Sequence, residues 1–252
     1  MTIRSVRFRS PGERDWGLDP MDPGHSWRIL WDGALDAARH ARLRVARSRV
    51  QQELAARNGL RIALGSGPHP PAGWVGLDLH RRGHDVYRAD LRLALPIESA
   101  TVDACLAEHV LEHLEFDDVM RLLAEIQRVL RPGGVLRIVS PDARTLARLV
   151  LSGPEATSSA EVEFDVALHR WPDDGLQWAR SINRVSHQWG EHRALLSPEM
   201  LQQALANLGF ESIQEVPVGT TYHLDSVPDI HAGRFPDEPA SAAFSLEAVR
   251  GR

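Results

Sequence analysis

Lysine is absent from this chain: all 29 basic residues are arginine. That excludes a lysine Schiff base and the lysine of a phosphate-binding loop. Cysteine is almost absent too. A single Cys105 excludes an intrachain disulfide and any multi-cysteine metal site. Its setting in the apolar run VDACLAEH predicts a buried structural thiol rather than a reactive one. No apolar stretch approaches a membrane span, and the opening MTIRSVRFRSPGERDWG lacks the apolar centre of a signal peptide. A cytoplasmic protein without a membrane span is expected. A net charge of −5 gives no overall pull toward nucleic acid.

Hydrophobic residues make up 43% and charged residues 25% of the 252, the composition of an ordinary globular chain long enough for one large domain with an added cap. Charge is uneven. Residues 1–60 carry eleven Arg and seven acids, and the remainder eighteen Arg and twenty-seven acids. Residues 1–24 read as an irregular arm. From Ser26 apolar residues recur at helical steps (Trp27, Leu30, Trp31, Ala34, Leu35, Ala38), and Asn58-Gly59 can end the run. Residues 1–58 are therefore expected to be an arm and helix packed on a main domain of residues 59–252. The Arg-rich end of that helix reads as a solvated, docked surface before a membrane-binding one.

The main domain alternates. Strands are predicted over Arg61–Gly65, Trp74–Leu79, Val86–Ala89, Thr101–Ala107 and Val135–Val139, and helices over Asp117–Leu130 and Asp142–Leu151, with RPGG at Arg131–Gly134 stopping the first. Residues 152–195 have no clean period and read as an insertion over the carboxyl edge of the sheet. Ser197-Pro198 opens another helix that Gly209 ends, with strands Phe210–Val216 and Phe244–Val249 to follow. Alternating strands and helices predict an α/β fold: a Rossmann-like open twisted sheet of about seven mostly parallel strands with helices on both faces.

The stretch LRIALGSGPHPPAGWVGLDL, Leu60–Leu79, puts glycines after one strand and an acid after the next. Glycine lets a ligand lie against backbone, and a carboxylate at Asp78 can accept both hydroxyls of a ribose. A dinucleotide would need a helix N-terminus at its pyrophosphate. Three prolines in the four residues after Gly67 forbid that helix. That disfavours NAD and favours a nucleoside cofactor without phosphates, S-adenosylmethionine.

Four motifs carry a resemblance: IALGSGPHPPAGWVGLDL, ADLRLALPIESATVDACLAEHVLEHL, EIQRVLRPGGVLRIVSPD and WGEHRALLSPEMLQQALANLGFESI. Together, from Leu60 to Arg250, the chain resembles a class I S-adenosylmethionine-dependent methyltransferase. It looks most like the branch with a Gly-x-Gly-Pro first loop, which includes small-molecule and saccharide enzymes. Its first loop departs from the superfamily pattern in carrying prolines where a third glycine is common. The resemblance implies S-adenosylmethionine as cofactor and S-adenosylhomocysteine as product. It implies that Gly65, Ser66 and Gly67 face the sugar and methionine, that Asp78 takes the ribose and Leu79 packs on the adenine, and that Asp90, with Leu91 beside it, accepts from the adenine amino group. Glu108, His109 and Val110 would line the sulfonium end. Against these stand plainer readings, Asp90 as a turn cap and His109 and His113 as packing residues.

Methyl transfer is an in-line displacement, helped for an alcohol acceptor by a general base. His192 is the first candidate, His187 the second and His109 the third; Asn183, Arg184, Trp189 and Tyr222 are candidate substrate residues. The histidines of HQWGEHR lack a clear carboxylate partner, so no metal is expected. The expected acceptor is a small molecule or saccharide taken at an oxygen or nitrogen, by a monomer or homodimer. The alternatives are a non-catalytic cofactor-binding partner subunit and a nucleic-acid methyltransferase, although no NPPY-type tetrapeptide is present.

Overall fold

The computed structural model describes residues 48–57, 59–79, 83–230 and 235–252, leaving out the side chain of Trp189. The expected arm and the helix before residue 48 lie outside these residues. The described chain opens in helix over 48–55, α1. It then runs β1 (Leu60–Leu64), β2 (Val75–Asp78), β3 (Val86–Arg88), β4 (Val102–Glu108), a one-turn helix at Leu111–His113, α2 (Phe116–Val129), β5 (Leu130–Pro141) and α3 (Ala143–Ser152). A one-and-a-half-turn helix at Gly153–Ser158, α4 (Ala160–His169), α5 (Gln177–His187), a turn at Gln188–Gly190, α6 (Pro198–Asn207), β6 (Phe210–Val216) and β7 (Ala243–Arg250) complete it.

The seven strands form one sheet in the order β3-β2-β1-β4-β5-β7-β6. Only β7 runs against the rest, antiparallel to both β5 and β6. The mostly parallel Rossmann-like sheet expected from the alternation is the one observed. Its central strands read as unbroken apolar runs because both faces are covered: Ile62, Leu64, Leu77, Val102, Cys105, Leu106 and Ile138 are all buried. Burial pushes the Cys105 thiol far above its ordinary pKa, which leaves it inert. From α2 come Val119, Leu122, Leu123, Ile126 and Val129, spaced three and four apart on one face and buried in the same core. Each is worth about 1.5–3 kcal/mol relative to exposure.

Two boundaries differ from the sequence reading. The RPGG segment ends α2 but lies within the span of β5, whose register against β4 jumps from Val102↔Leu130 to Ala104↔Val135. Residues 152–195 are largely helical. Their period is masked because polar residues share the inward face with Val162, Trp178 and Ile182: Asp165 of α4 accepts from the Ser181 hydroxyl of α5 and pairs with Arg184 Nε at 2.7 Å. The expected cap at Ser197 is present, accepting from the Met200 N–H at 3.4 Å at the head of α6; Asp142, which the sequence reading placed inside its helix, caps α3 by accepting from the Arg144 N–H at 2.8 Å.

Candidate active site

After β3 the chain crosses back to the other side of β1 to lay down β4, so strand order reverses between β1 and β4. Ligands of open α/β sheets sit at the carboxyl ends of the strands at such a point. The loop after β1 is pinned there. The Gly65 N–H donates to the Leu77 carbonyl at 2.8 Å, and the Gly67 N–H donates to Asp78 Oδ2 at 3.0 Å. Both glycines are left-handed, with φ +58 and +59. A Cβ at Gly65 would come within 2.3 Å of Val110 Cγ2, whereas one at Gly67 would meet nothing within 4 Å. Gly65 thus lets the loop pass tight against the start of the one-turn helix, and Gly67 presents open backbone.

A cleft of about 760 Å³ opens beside this loop, lined by Asp78, Leu79, Asp90, Leu91 and Val110 among others. That volume is ample for a nucleoside-sized ligand. It shares Gly65 and His109 with a cavity of about 170 Å³ that Ser66, Gly67 and Glu108 line. Every residue to which the resemblance gave a cofactor role therefore borders one of these two spaces. The glycine cradle, the carboxylate beside it and the apolar Leu79, 44% exposed at the mouth, fit S-adenosylmethionine. Asp90 has a second occupation. Its carboxylate takes the Arg92 N–H at 3.1 Å and the Arg92 guanidinium at 2.9 and 2.7 Å, so it also builds the turn after β3.

His109 closes β4. Its N–H donates to the Val139 carbonyl at 2.9 Å, yet its φ is +51, a left-handed conformation that costs a non-glycine residue. Its Nδ1 stands 3.2 Å from Glu112 Oε1, a carboxylate only 3% exposed. Burial alone would lower the His109 pKa. The Glu112 pairing and the charges of Glu238 and Glu108 outweigh it and hold the ring above its ordinary value. Burial likewise pushes Glu112 up, but His109 prevails and its carboxyl stays below the usual range.

A third cavity, about 80 Å³, adjoins at Glu108 and His109 and is walled by Val218, Asp229, Phe235 and Glu238. This wall is the β6–β7 connection, which the sequence reading left as an irregular stretch. It is fastened twice. The Ile230 N–H donates to Glu108 Oε2 at 2.9 Å, and the fully buried Arg137 of β5 holds Asp229 at 2.6 Å, the Thr220 carbonyl at 2.8 Å and Glu247 at 2.8 Å. Arg137 and this wall went unnoticed in the sequence. The only signal was an arginine inside an apolar strand.

The expected substrate and base candidates are less gathered. The insertion of residues 152–195 contributes Glu191 and Arg193 to the large cleft. His192 lies one shell behind it. Its ring is 5.1 Å from that of His113, its Nδ1 is 2.7 Å from the Val185 carbonyl, and burial lowers its pKa. His187 is exposed and sits 2.6 Å from the Ser186 hydroxyl. Asn183 caps back onto its own helix at the Ala179 carbonyl, 2.8 Å away, and Arg184 is engaged by Asp165. Tyr222 is exposed, its N–H given to Glu247 at 2.9 Å. None of these five borders the three cavities, and the Trp189 side chain lies outside the described part.

Residues 49–138 match a family model described as a methyltransferase domain, a span that includes the whole cofactor set. No curated protein matches the sequence. Among solved structures, the chain is similar to the CurJ carbon methyltransferase at 13% identity and a TM-score of 0.43, over 82% of this chain and 54% of that one. It therefore spans about half the length of that chain. A methyltransferase from Mesorhizobium loti is similar at 20% identity and a TM-score of 0.40, covering 77% of this chain and 92% of that one. The 1,6-didemethyltoxoflavin-N1-methyltransferase of Burkholderia thailandensis, solved with S-adenosylhomocysteine, is similar at 13% identity and a TM-score of 0.41 over 93% of each chain. Likenesses this distant bring no acceptor with them.

Proposed function

We propose that this chain, whose residues 49–138 match a methyltransferase-domain model, is a class I S-adenosylmethionine-dependent methyltransferase that methylates an oxygen or nitrogen of a small polar acceptor, a saccharide hydroxyl before others. The observation that carries this reading is that all three cavities meet at His109. One side of that meeting point is the cofactor cradle. The other is a wall that mixes Val218, Phe235 and Pro239 with Glu108, Asp229 and Glu238. Carboxylates in such a wall repel phosphates and suit neutral hydroxyls or amines, which argues against a nucleic-acid substrate.

S-adenosylmethionine supplies an electrophilic methyl group on a positively charged sulfur. Gly65, Ser66, Gly67 and Asp78 would hold it, and Glu108 and His109 would border its reactive end. The task left to the chain is alignment, since a fixed in-line approach supplies much of the rate. His109, backed by Glu112 as an orienting carboxylate, stands nearest to where an acceptor proton must go. His192 keeps the supporting position behind it that its distance from the cavities suggests.

The test is turnover with methyl-labelled cofactor against a panel of sugars, polyols, phenols, amines and RNA. Label on a sugar or other small hydroxyl or amine is expected. Label on RNA alone, or bound cofactor with no transfer to any member, would overturn the reading. Replacing His109 by Ala is expected to cut turnover by about 10²–10⁴, and His192→Ala by much less. The reverse order would restore His192 as the base.

A further inference from the structure

We infer that the cluster of the buried Glu112 with the half-buried His113 and His192 is a binding site for one divalent transition-metal ion at the edge of the cofactor cleft. One ligand-capable atom from each of the three residues lies within 4.8 Å of the other two. Glu112 and His113 are neighbours in sequence, and His192 comes from far later in the chain. What joins them is the chain after the insertion, where the Arg193 and Ala194 N–H groups donate to the Glu112 carbonyl at 2.7 and 3.2 Å.

The tautomers follow from the partners. His192 Nδ1 is 2.7 Å from the Val185 carbonyl, and His113 Nδ1 is 3.2 Å from the Glu191 carbonyl. A carbonyl cannot donate, so each Nδ1 carries the proton and each neutral ring keeps an Nε2 lone pair. An Nδ1–H held by a backbone carbonyl is the usual second contact of a metal-binding histidine. Glu112 adds a carboxylate only 3% exposed. Its Oε2 accepts from the Ser140 hydroxyl at 3.3 Å, and its Oε1 makes no aligned hydrogen bond, standing at ion-pair distance from His109. The three donor groups thus come close enough together to share one cation.

Two nitrogens and one oxygen make a donor set for zinc, iron, cobalt or manganese rather than calcium or magnesium. Bonds of about 2.0–2.2 Å place tetrahedral ligands roughly 3.4 Å apart, within the span of this cluster. Arg184, the nearest cation of the insertion, is already held by Asp165 at 2.7 Å and leaves the centre to the ion. Three protein ligands leave at least one position for water or an acceptor oxygen. His113 borders the large cleft and faces that way. The inference concerns binding and stands whether or not the acceptor proposed above is right.

The test uses the full chain, stripped with a chelator and dialysed against Zn²⁺ or Co²⁺. Expected are one ion per chain, visible ligand-field bands with Co²⁺, and X-ray absorption of the zinc form showing two imidazoles and an oxygen donor. His113→Ala and His192→Ala should each weaken binding by about a hundredfold or more, since even outer-shell partners are worth 10- to 100-fold. Glu112→Gln should weaken it by roughly tenfold or more. A cooperative urea unfolding transition of the same variants reports whether they fold. If they do not, the absorption spectrum of the wild-type chain decides alone. No binding by the wild type, equal binding by the His113→Ala/His192→Ala double variant, or a zinc shell with fewer than two imidazoles would overturn the site and leave a shared proton as the cation.

Discussion

Substituting alanine at Gly65 and, separately, at Gly67 separates two costs that sequence alone would merge. Both backbones are left-handed, at φ +58 and +59, so each variant carries about 1–2 kcal/mol of local strain. Only at Gly65 does the new methyl meet protein, 2.3 Å from Val110 Cγ2 and 2.9 Å from its Cβ. Val110 is itself buried, so relieving the overlap adds about 1–3 kcal/mol of overpacking. Gly65→Ala should therefore lose about 2–5 kcal/mol in urea unfolding, and Gly67→Ala about 1–2 kcal/mol. Affinity should divide the other way. The methyl at Gly67 enters open space bordering the cradle, so this milder variant should bind S-adenosylhomocysteine poorly by calorimetry. Adding Val110→Ala to Gly65→Ala should return most of the clash term as a coupling energy, leaving the strain. Equal stability losses for the two glycine variants, or no coupling to Val110, would refute the packing argument. Unimpaired cofactor binding by Gly67→Ala would refute the placing of the cradle.

Three further outcomes follow from the same geometry. Asp78→Ala should weaken S-adenosylhomocysteine by about 1.5–3 kcal/mol, roughly 10- to 150-fold in Kd, as ribose contacts and the anchor of the Gly67 N–H are lost together; unchanged affinity would remove Asp78 from the site. Arg137→Met should cost about 3–5 kcal/mol of stability in urea unfolding, because Asp229 and Glu247 would stay buried without their cation; a loss under 1 kcal/mol, roughly the value of an exposed pair, would count against that network. For Glu247, burial pushes the carboxyl up, but the Thr221 hydroxyl, the Tyr222 N–H and Arg137 hold it below its ordinary value. The unfolded chain then takes up the proton first as pH falls. The contribution of Glu247 is complete above the usual carboxylate range and is lost on acidification through it toward the depressed value, so Glu247→Gln should flatten the acid limb of a stability–pH curve, and an unchanged limb would sink the assignment.

The sheet was legible because its strands obey one rule: buried on both faces, β1 and β4 read as LRIAL and VDACLAE, and helix caps at Asp142 and Ser197 mark where the chain turns back. The cofactor side was legible because glycine and aspartate act there close to their own backbone. The insertion was not, since α4 and α5 set the buried polar Asp165, Gln177 and Ser181 among the apolar Val162, Val166, Trp178 and Ile182 and so break the stripe. The wall formed by the β6–β7 connection was hidden for a different reason. Asp229 is fixed by an arginine 92 residues earlier in the chain, and a pairing at that distance leaves no local trace. Glu112 and His192 meet in the same way, through backbone bonds that any residue types could make.

The position of β7 in the middle of one half of the sheet has a consequence for how the molecule is made. Arg137 leaves the ribosome long before its partner Glu247, 110 residues later, and β5 has no neighbour on that flank until β7 arrives. β6, already synthesised, must wait apart from the growing sheet, because the strand that joins it to β5 is the last to appear. Native structure on this side is therefore withheld until the final strand is free of the ribosome. The closing step is a long-range insertion, entropically costly and slow relative to the local β–α–β units that precede it. The wall formed by the β6–β7 connection comes into register only with that step, so a nascent chain can assemble the glycine loop after β1 well before the cavity at Glu108 and His109 gains its far side.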